Sequence, residues 1–185
     1  MPSPAQTLIK PVVLVGMMGA GKTAIGGAMA RALGVPFLDS DEALVEAANC
    51  SIAEIFERDG EEFFRARESE VIARLLDGAP AVLSTGGGAY LSADNRAMIA
   101  KRATTVWLKA DLALLWERVR HKTTRPLLRT GDPYATLKDI YEARTPIYAK
   151  ADLAVEAHAS YSIDQMAARV IDALAGANLL KDKAS

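Results

Sequence analysis

The chain has 185 residues, half of them apolar, and a formal net charge of −1. That length and apolar fraction suit one domain with a full core, and the near-neutral balance gives no electrostatic footprint for nucleic acid or an anionic membrane surface. A single cysteine, Cys50, excludes an internal disulfide framework and a cysteine-rich metal site, and no apolar run nears the roughly 20 residues that span a bilayer.

The first residues, Met1-Pro2-Ser3-Pro4-Ala5, lack a basic region followed by an apolar one, so no signal peptide is expected and a cytoplasmic location is the default. Residues 1–10 and 177–185 are expected to be loose ends. Val12–Val15 reads as a buried strand and 23–33 as a helix. Between them, Gly16-Met17-Met18-Gly19-Ala20-Gly21-Lys22-Thr23 matches the P-loop pattern G-x-x-x-x-G-K-[ST] in the strand–loop–helix setting its mechanism requires. Its glycines let successive backbone N–H groups face one concave loop and cradle phosphate oxygens, and the helix N-terminus adds partial positive charge. Lys22 is placed to reach the β/γ-phosphates of a nucleotide, and the Thr23 hydroxyl to hold Mg²⁺. Gly26 and Gly27 inside this helix cost about 1 kcal/mol each relative to Ala. Close packing of the helix on a sheet would explain them.

Residues 36–38 form a short strand candidate that runs into Asp39-Ser40-Asp41. Strand C-termini face the ligand crevice in open α/β sheets. One carboxylate there can hold Mg²⁺ through water and the other can accept a hydrogen bond from a substrate hydroxyl. Capping of the next helix by Ser40 or Asp41 is the competing reading. Residues 40–68 look helical, with Ser51-Ile52-Ala53-Glu54 in capping-box form. A helix over 61–76 carries Arg65, spaced for surface ion pairs with Glu61 and Glu68.

A strand over 81–84 leads into Gly86-Gly87-Gly88, a run that is costly in conformational entropy and suits a backbone passing close to a ligand. Ser92 and Asp111 are expected N-caps. A strand over 104–108 and a helix over 111–120 precede a polar, basic connection, 120–132, that contains Arg125 and has the character of a lid. Pro133 suits a first helical turn, Arg144 ends that helix, and Pro146 is expected to kink or restart it. A strand over 153–155 and a helix over 163–174 complete an alternation that argues for an α/β fold with a largely parallel sheet. His121 and His158 lack partners at metal-ligand spacing, and Trp107 and Trp116 read as core.

Taken in order, the P-loop, Leu38-Asp39-Ser40-Asp41, Phe63-Phe64-Arg65-Ala66-Arg67-Glu68, Thr85-Gly86-Gly87-Gly88-Ala89, Arg125-Pro126-Leu127-Leu128 and Arg144-Thr145-Pro146-Ile147-Tyr148 resemble shikimate kinases. The resemblance runs from about residue 11 to residue 174. It implies a P-loop, nucleoside-monophosphate-kinase-like three-layer fold: a five-stranded parallel sheet, helices on both faces, an acceptor-binding region near 40–68 and a lid near 120–132. The implied reaction is transfer of the ATP γ-phosphate to the 3-hydroxyl of shikimate, in the route to aromatic amino acids.

By the same resemblance, Gly19, Ala20, Gly21, Lys22 and Thr23 bind the nucleotide, and Thr23 with Asp39, through water, holds Mg²⁺. Asp41 binds and orients the acceptor hydroxyls. Arg65 and Arg144 clamp the carboxylate, Gly86, Gly87 and Gly88 line the acceptor pocket, and Arg125 closes onto the phosphates. Arg118 matches an arginine that packs on adenine, whereas the proline that family members often place near the last strand is absent from Glu156-Ala157-His158-Ala159-Ser160. The chain is expected to act on this small molecule as a monomer, without nucleic acid or membrane. Two rival readings are a related kinase for gluconate or a nucleoside monophosphate, and a nucleotide-binding protein without kinase activity.

Overall fold

The computed structural model describes residues 6–121 and 130–184. Arg125, and with it most of the expected lid, lies outside the described residues.

Five parallel strands form the central sheet: β2 (Val12–Val15), β3 (Phe37–Asp39), β4 (Val82–Ser84), β5 (Thr104–Lys109) and β6 (Leu153–Glu156), in the order β3-β4-β2-β5-β6. β2 and β4 are buried along their whole length, as strands covered on both faces must be. The chain crosses between them through α1 (Lys22–Leu33), α2 (Ser40–Ala48), α3 (Ile52–Leu76), α4 (Ala93–Arg102), α5 (Leu112–Val119) and α6 (Pro133–Tyr148), and α7 (Ile163–Gly176) follows β6. β2 pairs with both β4 and β5, so the loop after β2 opens at the point where strand order reverses, the usual ligand crevice of such sheets. No helix among the described residues is long and apolar enough to cross a membrane.

Local chemistry sets the element boundaries. Ser51, Ser92, Asp111, Asp132 and Ser162 each accept a backbone N–H of the following helix through the side chain. Gly26 sits where a Cβ would stand 2.6 Å from Phe37 Cε2 and 3.1 Å from Leu14 Cδ1, so tight packing of α1 on the sheet accounts for it. Gly27 meets no such crowding. α3 absorbs the predicted 61–76 helix into a longer one that breaks at Gly60, where φ is 85°. α2 and α3 share a small apolar cluster of Leu44, Ile55, Phe64 and Val71, separate from the main core on the sheet.

Two expectations are corrected. The chain ends are not loose throughout: β1 (Gln6–Leu8) pairs antiparallel with β7 (Leu180–Asp182), and Leu8 is buried in the main core. Pro146 does not restart the helix. It lies in the last turn of α6, where the Thr145 hydroxyl donates to the Tyr141 carbonyl at 2.6 Å and the helix stops two residues later.

Candidate active site

The P-loop joins β2 to α1 with three glycines at positive φ: Gly16 at 149°, Gly19 at 84° and Gly21 at 94°. Side chains at these positions would be strained, so the sequence pattern and the backbone path explain each other. Gly21 is the N-cap of α1 and offers no side-chain acceptor, and the first turn holds no acidic residue. The helix N-terminus thus presents its N–H groups and partial positive charge to an external anion. Lys22 Nζ donates to the carbonyls of Gly16 at 2.7 Å and Met17 at 3.2 Å, which keeps it over the loop. Thr23 is exposed beside it. Arg118 on α5 donates to Gly19 O at 3.0 Å and Ala20 O at 3.4 Å, so it braces the loop.

The acceptor side starts from sheet register. β3 and β4 are parallel with Asp39 opposite Ser84, which sets Asp41 and Gly86 face to face two residues beyond the strand ends. Asp39 Oδ1 accepts the N–H groups of Asp41 at 2.9 Å and Glu42 at 3.1 Å. The cap of α2 is therefore Asp39, not Ser40 or Asp41, and Asp41 is left to face the crevice. A Cβ on Gly86 would stand 2.8 Å from Asp41 Oδ1, one on Gly87 2.9 Å from Arg144 Nη1, and one on Gly88 2.6 Å from Arg65 Nη2. Each glycine faces one of the three charged side chains that the sequence singled out, brought in from α2, α6 and α3.

The loop's own polar groups are mostly engaged. Ala89 and Leu91 donate to the carbonyls of Gly86 and Gly88, each at 3.1 Å, and Gly86 N–H donates to Ser40 Oγ at 3.3 Å. Tyr148 O–H donates to Gly87 O at 2.8 Å. The N–H groups of Gly87 and Gly88 find no acceptor among the described residues and remain as donors beside Arg144 and Arg65.

Electrostatics ties the two halves together. Burial, then the charge of Asp39, pushes the Asp41 carboxyl above the ordinary aspartate range, while the nearby charges of Lys22 and Arg65 pull it back. Lys22 belongs to the P-loop and Arg65 to α3, so both cations bear on one carboxylate. Arg65 also donates to Glu68 at 2.9 Å and stands 3.8 Å from Glu61. The pair with Glu68 is no surface accident, because Glu68 is 1% exposed. Burial raises its carboxyl, and the bond and charge of Arg65 oppose that rise.

Sequence reasoning missed Ser40, Glu68 and Tyr148 as supports of the site. Glu68 carried only the spacing of a surface ion pair with Arg65 and Ser40 only the character of a cap, and Tyr148 stood in a quoted motif without a role of its own, since each is an ordinary residue until the fold buries it. Three or more His, Cys, Asp or Glu side chains do not gather into a metal-holding cluster among the described residues. The donors near the P-loop, Thr23 and Asp39, fit Mg²⁺ only as a partly hydrated ion that shares its sphere with phosphate oxygens, which is its usual habit.

Residues 18–175 match the family model for shikimate kinase. A shikimate kinase of Ruegeria pomeroyi is 67% identical over 92% of this chain and 88% of its own length, and one of Cereibacter sphaeroides is 64% identical over 91% and 84%. Among solved structures, shikimate kinase from Acinetobacter baumannii in complex with shikimate superimposes with a TM-score of 0.85, at 34% identity over 92% of this chain and 95% of that one. A gluconokinase from Sinorhizobium meliloti, at 19% identity and a TM-score of 0.64, shares the fold.

Proposed function

The chain belongs to the shikimate kinase family, and we propose that it carries out that family's reaction with the residues that meet around Asp41. It is an ATP-dependent kinase for a small-molecule acceptor, and it serves aromatic amino acid biosynthesis. The γ-phosphate of ATP passes to the 3-hydroxyl of shikimate: a bond forms from that oxygen to phosphorus, the hydroxyl proton is released, and the bond from phosphorus to the oxygen retained by ADP breaks.

Gly19, Ala20 and Gly21 cradle the phosphates and Lys22 neutralises their charge. Thr23 and, through water, Asp39 would hold Mg²⁺, which would offset the remaining phosphate charge when bound. Arg118 lies against the P-loop on the side assigned to adenine. Arg125 enters this reading on the resemblance of Arg125-Pro126-Leu127-Leu128 alone. Arg65 and Arg144 grip the shikimate carboxylate, for which planar guanidinium forks are the matching donors. Gly87 and Gly88 add backbone N–H donors. Ionised Asp41 accepts from the acceptor hydroxyls and orients the attacking one. Phosphoryl transfer depends chiefly on such positioning and on charge stabilisation.

The observation that carries the reading is the glycine loop after β4, the neighbour of the P-loop strand, whose Gly86, Gly87 and Gly88 face Asp41, Arg144 and Arg65 in turn. We place the enzyme in the cytoplasm as a monomer that needs neither nucleic acid nor membrane. A coupled assay of ADP release with shikimate, quinate, gluconate and no acceptor tests the whole. Release should depend on shikimate, and equal release with gluconate or without acceptor overturns it.

A further inference from the structure

The glycine loop is pinned by two buried side chains outside the set assigned to acceptor and nucleotide. Ser40 Oγ accepts the Gly86 N–H at 3.3 Å, and Tyr148 O–H donates to the Gly87 carbonyl at 2.8 Å. Both side chains are buried, each at 1% exposure. Ser40 immediately precedes Asp41 at the start of α2. Tyr148 stands one turn beyond Arg144 at the end of α6. Each bond therefore ties one loop residue to the helix that carries the charged group facing that same residue. A Cβ would meet Asp41 at Gly86 and Arg144 at Gly87, within 2.9 Å in both cases. Two consecutive backbone units stand between a carboxylate on one helix and a guanidinium on another, and the Tyr148 hydroxyl also lies against that guanidinium.

We propose that Ser40 and Tyr148 are positioning residues that fix the separation of Asp41 and Arg144 through the Gly86–Gly87 backbone, and so set which acceptor the pocket takes. The proposal rests on the assignment of Asp41 and Arg144 to the two polar ends of shikimate. An acceptor held at its carboxylate by one group and at its hydroxyls by the other is read by the distance between them. A rigid spacer selects one length of acceptor, and a loose one admits neighbours. The Tyr148 ring packs near Trp107, with ring centroids 6.4 Å apart, so its hydroxyl can be removed without emptying the space the ring fills. Ser40→Ala removes one oxygen from a buried site.

Tyr148→Phe and Ser40→Ala should each raise the KM for shikimate about tenfold, because a misplacement near 1 Å can cost up to about a hundredfold. The KM for ATP should stay within about twofold, and discrimination between shikimate and quinate should fall. The double variant should lose less than the product of the single losses, since both side chains act on one loop. Melting curves of the same variants separate positioning from mere support. Lowered melting temperature with an unchanged KM for shikimate overturns the proposal, as does a parallel rise in the KM for ATP. Arg144→Ala, assayed alongside, reads the underlying assignment. A rise with Arg144→Ala but not with Tyr148→Phe or Ser40→Ala removes the positioning role alone. No rise with Arg144→Ala removes the assignment and the positioning role with it.

Discussion

Asp41 and Gly86 stand so close that no methyl group fits between them: a Cβ on Gly86 would lie 2.8 Å from Asp41 Oδ1 and 3.1 Å from Oδ2. The contact follows from the parallel register of β3 and β4 and lies two residues past it. Gly86→Ala must therefore push the carboxylate or the loop aside. Turnover of shikimate, as kcat/KM, should fall by about 10- to 100-fold, in line with a displacement near 1 Å at reacting groups. The KM for ATP should hold, because the P-loop lies on the other strand junction. Steady-state kinetics with each substrate varied in turn checks this, and an unchanged kcat/KM for shikimate counts against Asp41 as the hydroxyl acceptor.

Arg144→Ala should weaken acceptor binding and leave ATP binding nearly intact. A hydrogen bond to a charged group contributes about 1.5–3 kcal/mol, so the shikimate Kd should rise by about 10- to 150-fold. Calorimetric titration with each ligand separately measures both. Equal loss of the two affinities would sink the carboxylate role.

Lys22→Ala should abolish turnover and change the melting temperature little. Lys22 Nζ donates to the carbonyls of Gly16 and Met17, and its own side chain is only partly buried, so its truncation empties no core site. Wild-type turnover in this variant would remove the phosphate assignment.

Much of the fold was legible because it rests on local rules. Val12–Val15 is an unbroken apolar run, and the P-loop glycines announce their positive φ values. The N-caps at Ser51, Ser92 and Asp111 are side chains whose chemistry acts within three residues. The charged groups of the site were legible too, as Asp41, Arg65 and Arg144 stand in recognisable motifs. What stayed hidden was set by contacts distant in sequence. Ser40 meets Gly86 across 46 positions and Tyr148 meets Gly87 across 61. Glu68 reads as a surface partner of Arg65 until tertiary packing buries it. The Asp39 cap was misplaced by one or two residues, since Asp39, Ser40 and Asp41 are all good caps and only the backbone path chooses among them.

Asp41 should trade stability for function. Its carboxyl is raised above the ordinary 3.8, with burial as the leading cause, so the folded state binds the proton more tightly than the unfolded chain. The stability it lends is full below the unfolded value and is lost as pH rises through the folded one. Asp41→Asn, which carries no charge to desolvate, should melt higher than the natural protein near pH 7 and lose that advantage near pH 3. Its turnover should collapse at every pH, and the acidic limb of kcat/KM in the natural protein should lie above 3.8. Melting curves at the two pH values decide the matter. A natural protein that is the more stable of the two at pH 7 would mean that the charges of Lys22 and Arg65 outweigh burial.

The terminal ribbon offers a test remote from the chemistry. β1 and β7 pair Gln6 with Asp182, Thr7 with Lys181 and Leu8 with Leu180, and Ile9 N–H adds a bond to Leu179 O at 3.3 Å. Two strands alone are marginal in water. This ribbon holds because Leu8, at 1% exposure, plugs into the core beneath it. Leu8→Ala should cost about 2–5 kcal/mol, the range for a buried leucine cut to alanine. In a domain of this size that corresponds to a melting temperature lower by about 5–20 °C. Loss of residues 179–185 should act in the same direction, since it strips β1 of its partner and opens Leu8 to water. Both KM values should stay at the natural level when measured well below the new melting point. A shortened chain that melts with the natural protein would show that Leu8 keeps its seat without β7, and that the pairing of the two ends adds nothing to the stability of the sheet.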